Sequence, residues 1–115
     1  MAAAAKGGSA MGVVERILDT FKALLAKRVP VRRVILFGSR ARGDADPQSD
    51  LDVVVILEDS AGPEARAAVS ACAWEAGFEY GIVVAPVVFT RKEWEEGPER
   101  ESLFVKAVEA EGVVL

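Results

Sequence analysis

The sequence predicts an α/β (α+β) domain in which helices flank a mixed β-sheet. Three observations carry that prediction. Apolar residues recur at helical spacing from Val14 to Leu25. Two runs rich in β-branched and aromatic residues, Val31 to Phe37 and Leu51 to Leu57, follow with a Gly-, Asp-, Pro- and Ser-containing loop between them. A helical segment opened by Pro63 then leads to a third apolar run, Tyr80 to Phe89.

Taken in order, residues 1–11 are mostly small and read as a flexible tail, with one domain over 12–115. Val14, Ile17, Leu18, Phe21, Leu24 and Leu25 form the apolar face of the first helix, which ends near Lys27-Arg28, ahead of Pro30. The first strand lies between Pro30 and Gly38, and the second spans Leu51 to Leu57. Pro63 suits a first helical turn, and this helix runs through Ala65, Ala68, Val69, Cys72 and Ala76 to stop at Gly77. Pro86 removes one ladder donor from the third strand and predicts an edge position or a bulge. Thr90 caps a short helix over Arg91 to Glu96. A last helix is expected over Pro98 to Glu111, with Leu103, Phe104, Ala107 and Val108 inward and Gly112 as its stop.

A chain of 115 residues, 51% hydrophobic and 28% charged, supports one ordinary core. Its apolar runs are too short for a membrane span, and its first residues lack the apolar core of a secretory signal, so the cytoplasm is the expected compartment. The lone Cys72 lies on an apolar helix face and reads as a small core residue. A net charge of −4 gives no global pull toward a polyanion, and nucleic acid is not an expected partner. The absence of histidine excludes a Ser-His-Asp triad and imidazole ligands. Chemistry here must run on carboxylates, metal, Ser, Lys or Arg. Arg32, Arg33, Arg40 and Arg42 gather around one segment, and Glu93, Glu95, Glu96, Glu99, Glu101 and Glu109 form an acidic solvated face. Trp74, Phe78 and Trp94 are expected to pack their helices.

That segment runs from Gly38-Ser39 through Arg40, Arg42 and Gly43 to Asp50-Leu51-Asp52. A glycine at a strand exit lets the backbone turn with its amides exposed, and the Ser39 hydroxyl adds a donor for phosphate oxygens. Arg40 and Arg42 supply charge for the same anion. Asp50 and Asp52 stand two apart at the head of a strand, so both carboxylates share one face, with Cα atoms about 6–7 Å apart. Mg²⁺ takes such oxygens, as one ion or two. Because Ser39 ends one strand and Asp50 opens the next, both reach one site only if the strands are antiparallel. The Pro63 helix then crosses back to set the third strand alongside, which makes the sheet mixed. Asp44 and Asp46 are ordinary turn residues.

The unit Ile35-Leu-Phe-Gly38-Ser39 … Ala41-Arg42-Gly43 … Ser49-Asp50-Leu-Asp52-Val-Val resembles the nucleotidyltransferase superfamily related to DNA polymerase beta, and within it the minimal nucleotidyltransferases. The resemblance covers Val14 to Leu115. It implies the nucleotidyltransferase fold and transfer of a nucleoside monophosphate, AMP from ATP, to a hydroxyl with release of pyrophosphate. Gly38 and Ser39 would hold the triphosphate, and Asp50 and Asp52 would be the Mg²⁺ ligands. It also implies a small helical HEPN protein as a toxin-antitoxin partner, and the small size of the chain favours that partner or a homo-oligomer to wall the site. Active members add a third carboxylate on the strand after the crossover helix. Tyr80 to Thr90 holds no Asp or Glu, and Val83 or Val84 is expected in that place, with Glu79 just upstream as the candidate substitute. The alternative is a degenerate nucleotide- and metal-binding module without transfer.

Overall fold

A computed structural model describes residues 10–43 and 49–115, without the side chains of Ala10, Met11, Ser39 and Arg42. Asp44 and Asp46, and the tail up to Ser9, lie outside the described residues. Helix α1 (Ala10–Arg28) begins within the stretch expected to be tail. It buries Val14, Ile17, Leu18, Phe21 and Leu25, one stripe of a 3.6-residue repeat, and places Lys27 and Arg28 in its last turn, where the helix dipole favours cations. The chain then passes through β1 (Val31–Phe37), the single turn α2 (Ser39–Arg42), β2 (Leu51–Leu57), α3 (Ala65–Phe78), β3 (Val84–Thr90), α4 (Arg91–Glu96) and α5 (Leu103–Glu111), and ends in β4 (Val113–Val114).

The sheet order is β3-β2-β1-β4. β1 and β2 are antiparallel and β2 and β3 parallel, as the loop and crossover connections require. The central strand β2 is buried on both faces, because helices cover both. Val34, Leu36, Val53, Val55 and Val84 pack against α1 and α3. Ile35, Val54, Ile56 and Phe89 face the opposite way and meet Trp94, Val105 and Val108 of α4 and α5. This alternation assigns every side chain of the sheet to a face.

Several elements differ from the sequence reading. The third strand starts at Val84 rather than Tyr80, because Gly81, at φ 67°, continues a turn at the end of α3. Pro86 does lie on an edge strand. The last helix divides into a 3₁₀ turn (Pro98–Glu101) and α5, because Ser102 breaks the run and caps α5 by accepting the Val105 N–H. That new phase turns Leu103 outward to 86% exposure and leaves Phe104 and Ala107 at the surface, while Val105 and Val108 are buried. Strand β4, which pairs with Ile35 and Leu36, was not anticipated. Trp94 and Cys72 are buried as expected, but Trp74 and Phe78 are each 68% exposed. Of the acidic residues, Glu93 pairs with Arg66, Glu95 and Glu96 with Arg91, and Glu109 with Arg100, so the face is laced with ion pairs.

Candidate functional site

The site begins where β1 ends. Gly38 adopts φ +78°, the left-handed region a side chain disfavours, and the chain turns at once into α2. Ala41 N–H donates to the Gly38 carbonyl at 3.1 Å, which closes the turn. Arg40 Nη2 donates to the Ser49 carbonyl at 2.7 Å and so ties the turn to the residue just before Asp50. The backbones of Ser39 and Arg42 belong to α2; their side chains lie outside the described residues.

The antiparallel register sets Phe37 opposite Asp52, and the parallel register sets Ala85 opposite Asp52 on the other side. Asp52 therefore projects from the middle of the sheet, on the α4/α5 face, flanked by Phe37 and Ala85. A Cβ placed on Gly38 would stand 2.8 Å from Asp52 Oδ2, so the carboxylate rests directly against the glycine. Asp50 is exposed, just before β2, and Asp52 is half-buried. Burial pushes the Asp52 carboxyl above the usual carboxylate range, and the charge of Asp50 pushes it further in the same direction. The Gly38 turn, Arg40 and the two carboxylates are thus brought to one end of the sheet. Arg32 and Arg33 are not. They sit at the far end of β1, where Arg32 pairs with Glu58 at 3.5 Å.

Hard divalent cations take carboxylate oxygens, and two carboxylates that share one face gain from a cation between them. The donor chemistry of Asp50 and Asp52 therefore fits Mg²⁺, which these two carboxylates would hold. Among the described residues no group of three or more Asp, Glu, His or Cys gathers as a metal site. Glu79 lies at the C-terminal end of α3, on the side of the sheet opposite Asp52, and does not join the pair. Val84 is buried beneath α3 and Val83 is 55% exposed before the strand begins, so neither fills the place expected for a third acid. The residues beside Asp52 on its own face are Ala85 and Val87, which share parity with Phe89. The signal that could have found them was Phe89, whose inward burial fixes which alternate residues of β3 face the pair.

A curated relative described as "Putative protein adenylyltransferase MJ0141", from Methanocaldococcus jannaschii, is 34% identical over 59 residues, which cover 51% of this chain and 60% of that protein. The chain thus spans about three-fifths of that relative. A crystal structure of "a putative nucleotidyltransferase from Sulfolobus solfataricus" aligns at TM-score 0.46 and 19% identity, over 93% of this chain and 86% of that one. The family model described as nucleotidyltransferase domain matches residues 15–111, from the first helix to the end of α5. That span takes in the Gly38 turn, Asp50 and the Asp52 carboxylate resting against the turn, and the chain belongs to the nucleotidyltransferase domain family.

Proposed function

We propose that the protein transfers a nucleoside monophosphate, AMP from ATP, to a hydroxyl on an acceptor. The observation that supports this reading is the contact between Gly38 and Asp52, which sets the Asp52 carboxylate against the turn whose amides would meet a phosphate. In this reaction the acceptor oxygen forms a bond to the α-phosphorus, the bond to the bridging oxygen breaks, pyrophosphate leaves, and the hydroxyl proton passes to water or a carboxylate. The exposed amides of the Gly38-Ser39 turn receive the triphosphate, with Arg40 and Arg42 beside it. Asp50 and Asp52 would hold one or two Mg²⁺, which supply charge neutralisation on the phosphate oxygens. Phe37 and Ala85 flank Asp52 as its register partners on the two neighbouring strands.

A second reading has a specific observation in its favour. Ala85 and Val87, the positions beside Asp52 on its face, are aliphatic, and a site short of one carboxylate can bind nucleotide and metal without turning over. In that case the chain serves as a nucleotide-dependent partner of a small helical protein of the HEPN class, which the sequence resemblance implies. Incubation with ATP labelled at the α-phosphate, Mg²⁺ and the protein encoded beside it separates the two. Label on the partner with matching pyrophosphate release supports transfer. Tight nucleotide binding without label supports the binding module, and neither binding nor label removes both.

A further inference from the structure

Helix α3 buries Ala65, Val69, Cys72, Ala73 and Ala76 and turns its other side to solvent. Along that outer side run Ala67, Ala71, Trp74 and Phe78, with Ser70 beside them, all exposed. The spacing of four, three and four makes a straight stripe on a helix. Trp74 and Phe78, each 68% exposed, hold their ring centroids 5.4 Å apart. Beside them lies an open groove of about 560 Å³ whose lining includes Ser70, Trp74, Phe78, Gly81, Val83 and Pro86. Val83, 55% exposed, extends the apolar surface toward the sheet edge.

The sheet edge itself is closed to strand addition. Leu51 N–H donates to the Val83 carbonyl at 2.8 Å, so the backbone groups of Val83, Ala85 and Val87 point toward β2 and those of Val84, Pro86 and Val88 point outward. Pro86 has no N–H to offer there, and the Val88 carbonyl accepts Arg66 Nη1 at 2.6 Å. Whatever covers this surface does so through side chains, as one helix packs on another.

We propose that the outer stripe of α3 is a two-fold dimerisation surface for a second copy of this chain. The stripe is graded in size: its N-terminal half is small, Ala67, Ser70 and Ala71, and its C-terminal half is large, Trp74 and Phe78. A two-fold axis that sets the two helices antiparallel lays the large half of each on the small half of the other, which is the self-complementarity an isologous interface needs. The area agrees. At 68% exposure each aromatic residue offers roughly 100–170 Å², and Tyr80 and Val83 bring the apolar surface to roughly 400 Å². A stable interface covers about 800 Å² per partner, and the apolar share of a homodimer interface is about two-thirds, so the patch forms most of such a core. Glu75 and Glu79 follow Trp74 and Phe78 by one residue and stay at the rim, in water.

Sedimentation equilibrium of the full chain over a range of concentrations tests this independently of any nucleotide activity. The expected result is a monomer–dimer equilibrium. Trp74→Ala with Phe78→Ala should raise the dimer dissociation constant about 30-fold or more, as loss of central aromatic anchors does. Ala67→Arg, which touches neither aromatic residue, should weaken the dimer to a similar degree by putting a charge where Phe78 of the second copy would sit. Both variants should keep the wild-type circular dichroism, and the wild-type Tm at concentrations below its dimer dissociation constant, because every altered residue is solvent-exposed in the monomer. A wild-type chain that stays monomeric up to about 100 μM overturns the proposal. So does a dimer that survives both variants, or a monomer whose stripe binds only a foreign amphipathic helix.

Discussion

Replacing Gly38 by alanine separates two costs that the structure keeps distinct. A left-handed backbone at φ +78° disfavours alanine by about 1–2 kcal/mol, which in a chain of this size lowers Tm by about 4–8 °C. Gly43, at φ +82°, carries the same backbone cost, so Gly43→Ala should lower Tm by a like amount. The difference lies in what the new methyl group meets. At Gly43 nothing among the described residues stands within 4 Å, whereas at Gly38 the methyl would lie 2.8 Å from Asp52 Oδ2. That oxygen ends a side chain and can turn aside, so the extra stability cost is small, but it turns away from the place where the proposed cation would bind. Differential scanning fluorimetry with ATP and Mn²⁺ or Mg²⁺ reads both effects. Gly43→Ala should keep the ligand-dependent rise in Tm through mass action, and Gly38→Ala should lose it. Equal retention by both variants, or equal loss, would refute the argument that the Gly38–Asp52 contact organises the site.

Other predictions follow from the same geometry. Introducing a carboxylate beside Asp52, as Ala85→Asp or Val87→Asp, should raise Mg²⁺-dependent pyrophosphate release from ATP above wild type in at least one case, whereas Val84→Asp, beneath α3, should mainly destabilise. No gain in either of the first two would detach that position from catalysis. Toward acid, Asp59 is held below its ordinary value of 3.8 by the Lys92 N–H and by Arg91, and Glu93 below 4.5 by the Thr90 N–H and by Arg66. Carboxylates with depressed values contribute stability above those ordinary values and lose it as pH falls through the lowered ones. Tm should therefore drop below about pH 4.5, less steeply in Asp59→Asn than in wild type, and parallel acid curves would contradict this assignment.

Much of the fold was legible because its cause is local. The apolar stripe of α1, the β-branched strands and the Thr90 cap, which accepts the Glu93 N–H, each depend on residues within a few positions of one another. The antiparallel pairing was legible for a different reason: a turn and a carboxylate pair separated by about ten residues reach one site only that way. Sequence could not set the parity of β3, since the start of that strand depends on where α3 unwinds, and Gly81 moves that point four residues past Tyr80. Hence Val83 and Val84 stood in for Ala85 and Val87. The burial of Trp74 and Phe78 failed as an expectation because helical spacing marks a stripe without saying whether this chain or another covers it. The contact of Asp52 with Gly38 was equally beyond reach, being a cross-strand neighbour relation that only the register supplies.

The central claim, that one end of the sheet holds a nucleotide triphosphate through the Gly38 turn and a cation through Asp50 and Asp52, is tested most directly by calorimetric titration of ATP. Wild type and the Asp50→Asn, Asp52→Asn double variant would each be titrated with and without Mg²⁺. The account predicts one site per chain in wild type that tightens at least about tenfold with Mg²⁺, and no Mg²⁺-dependent gain in the double variant. An affinity that ignores Mg²⁺, or a Mg²⁺-dependent gain that survives loss of both carboxylates, would contradict it.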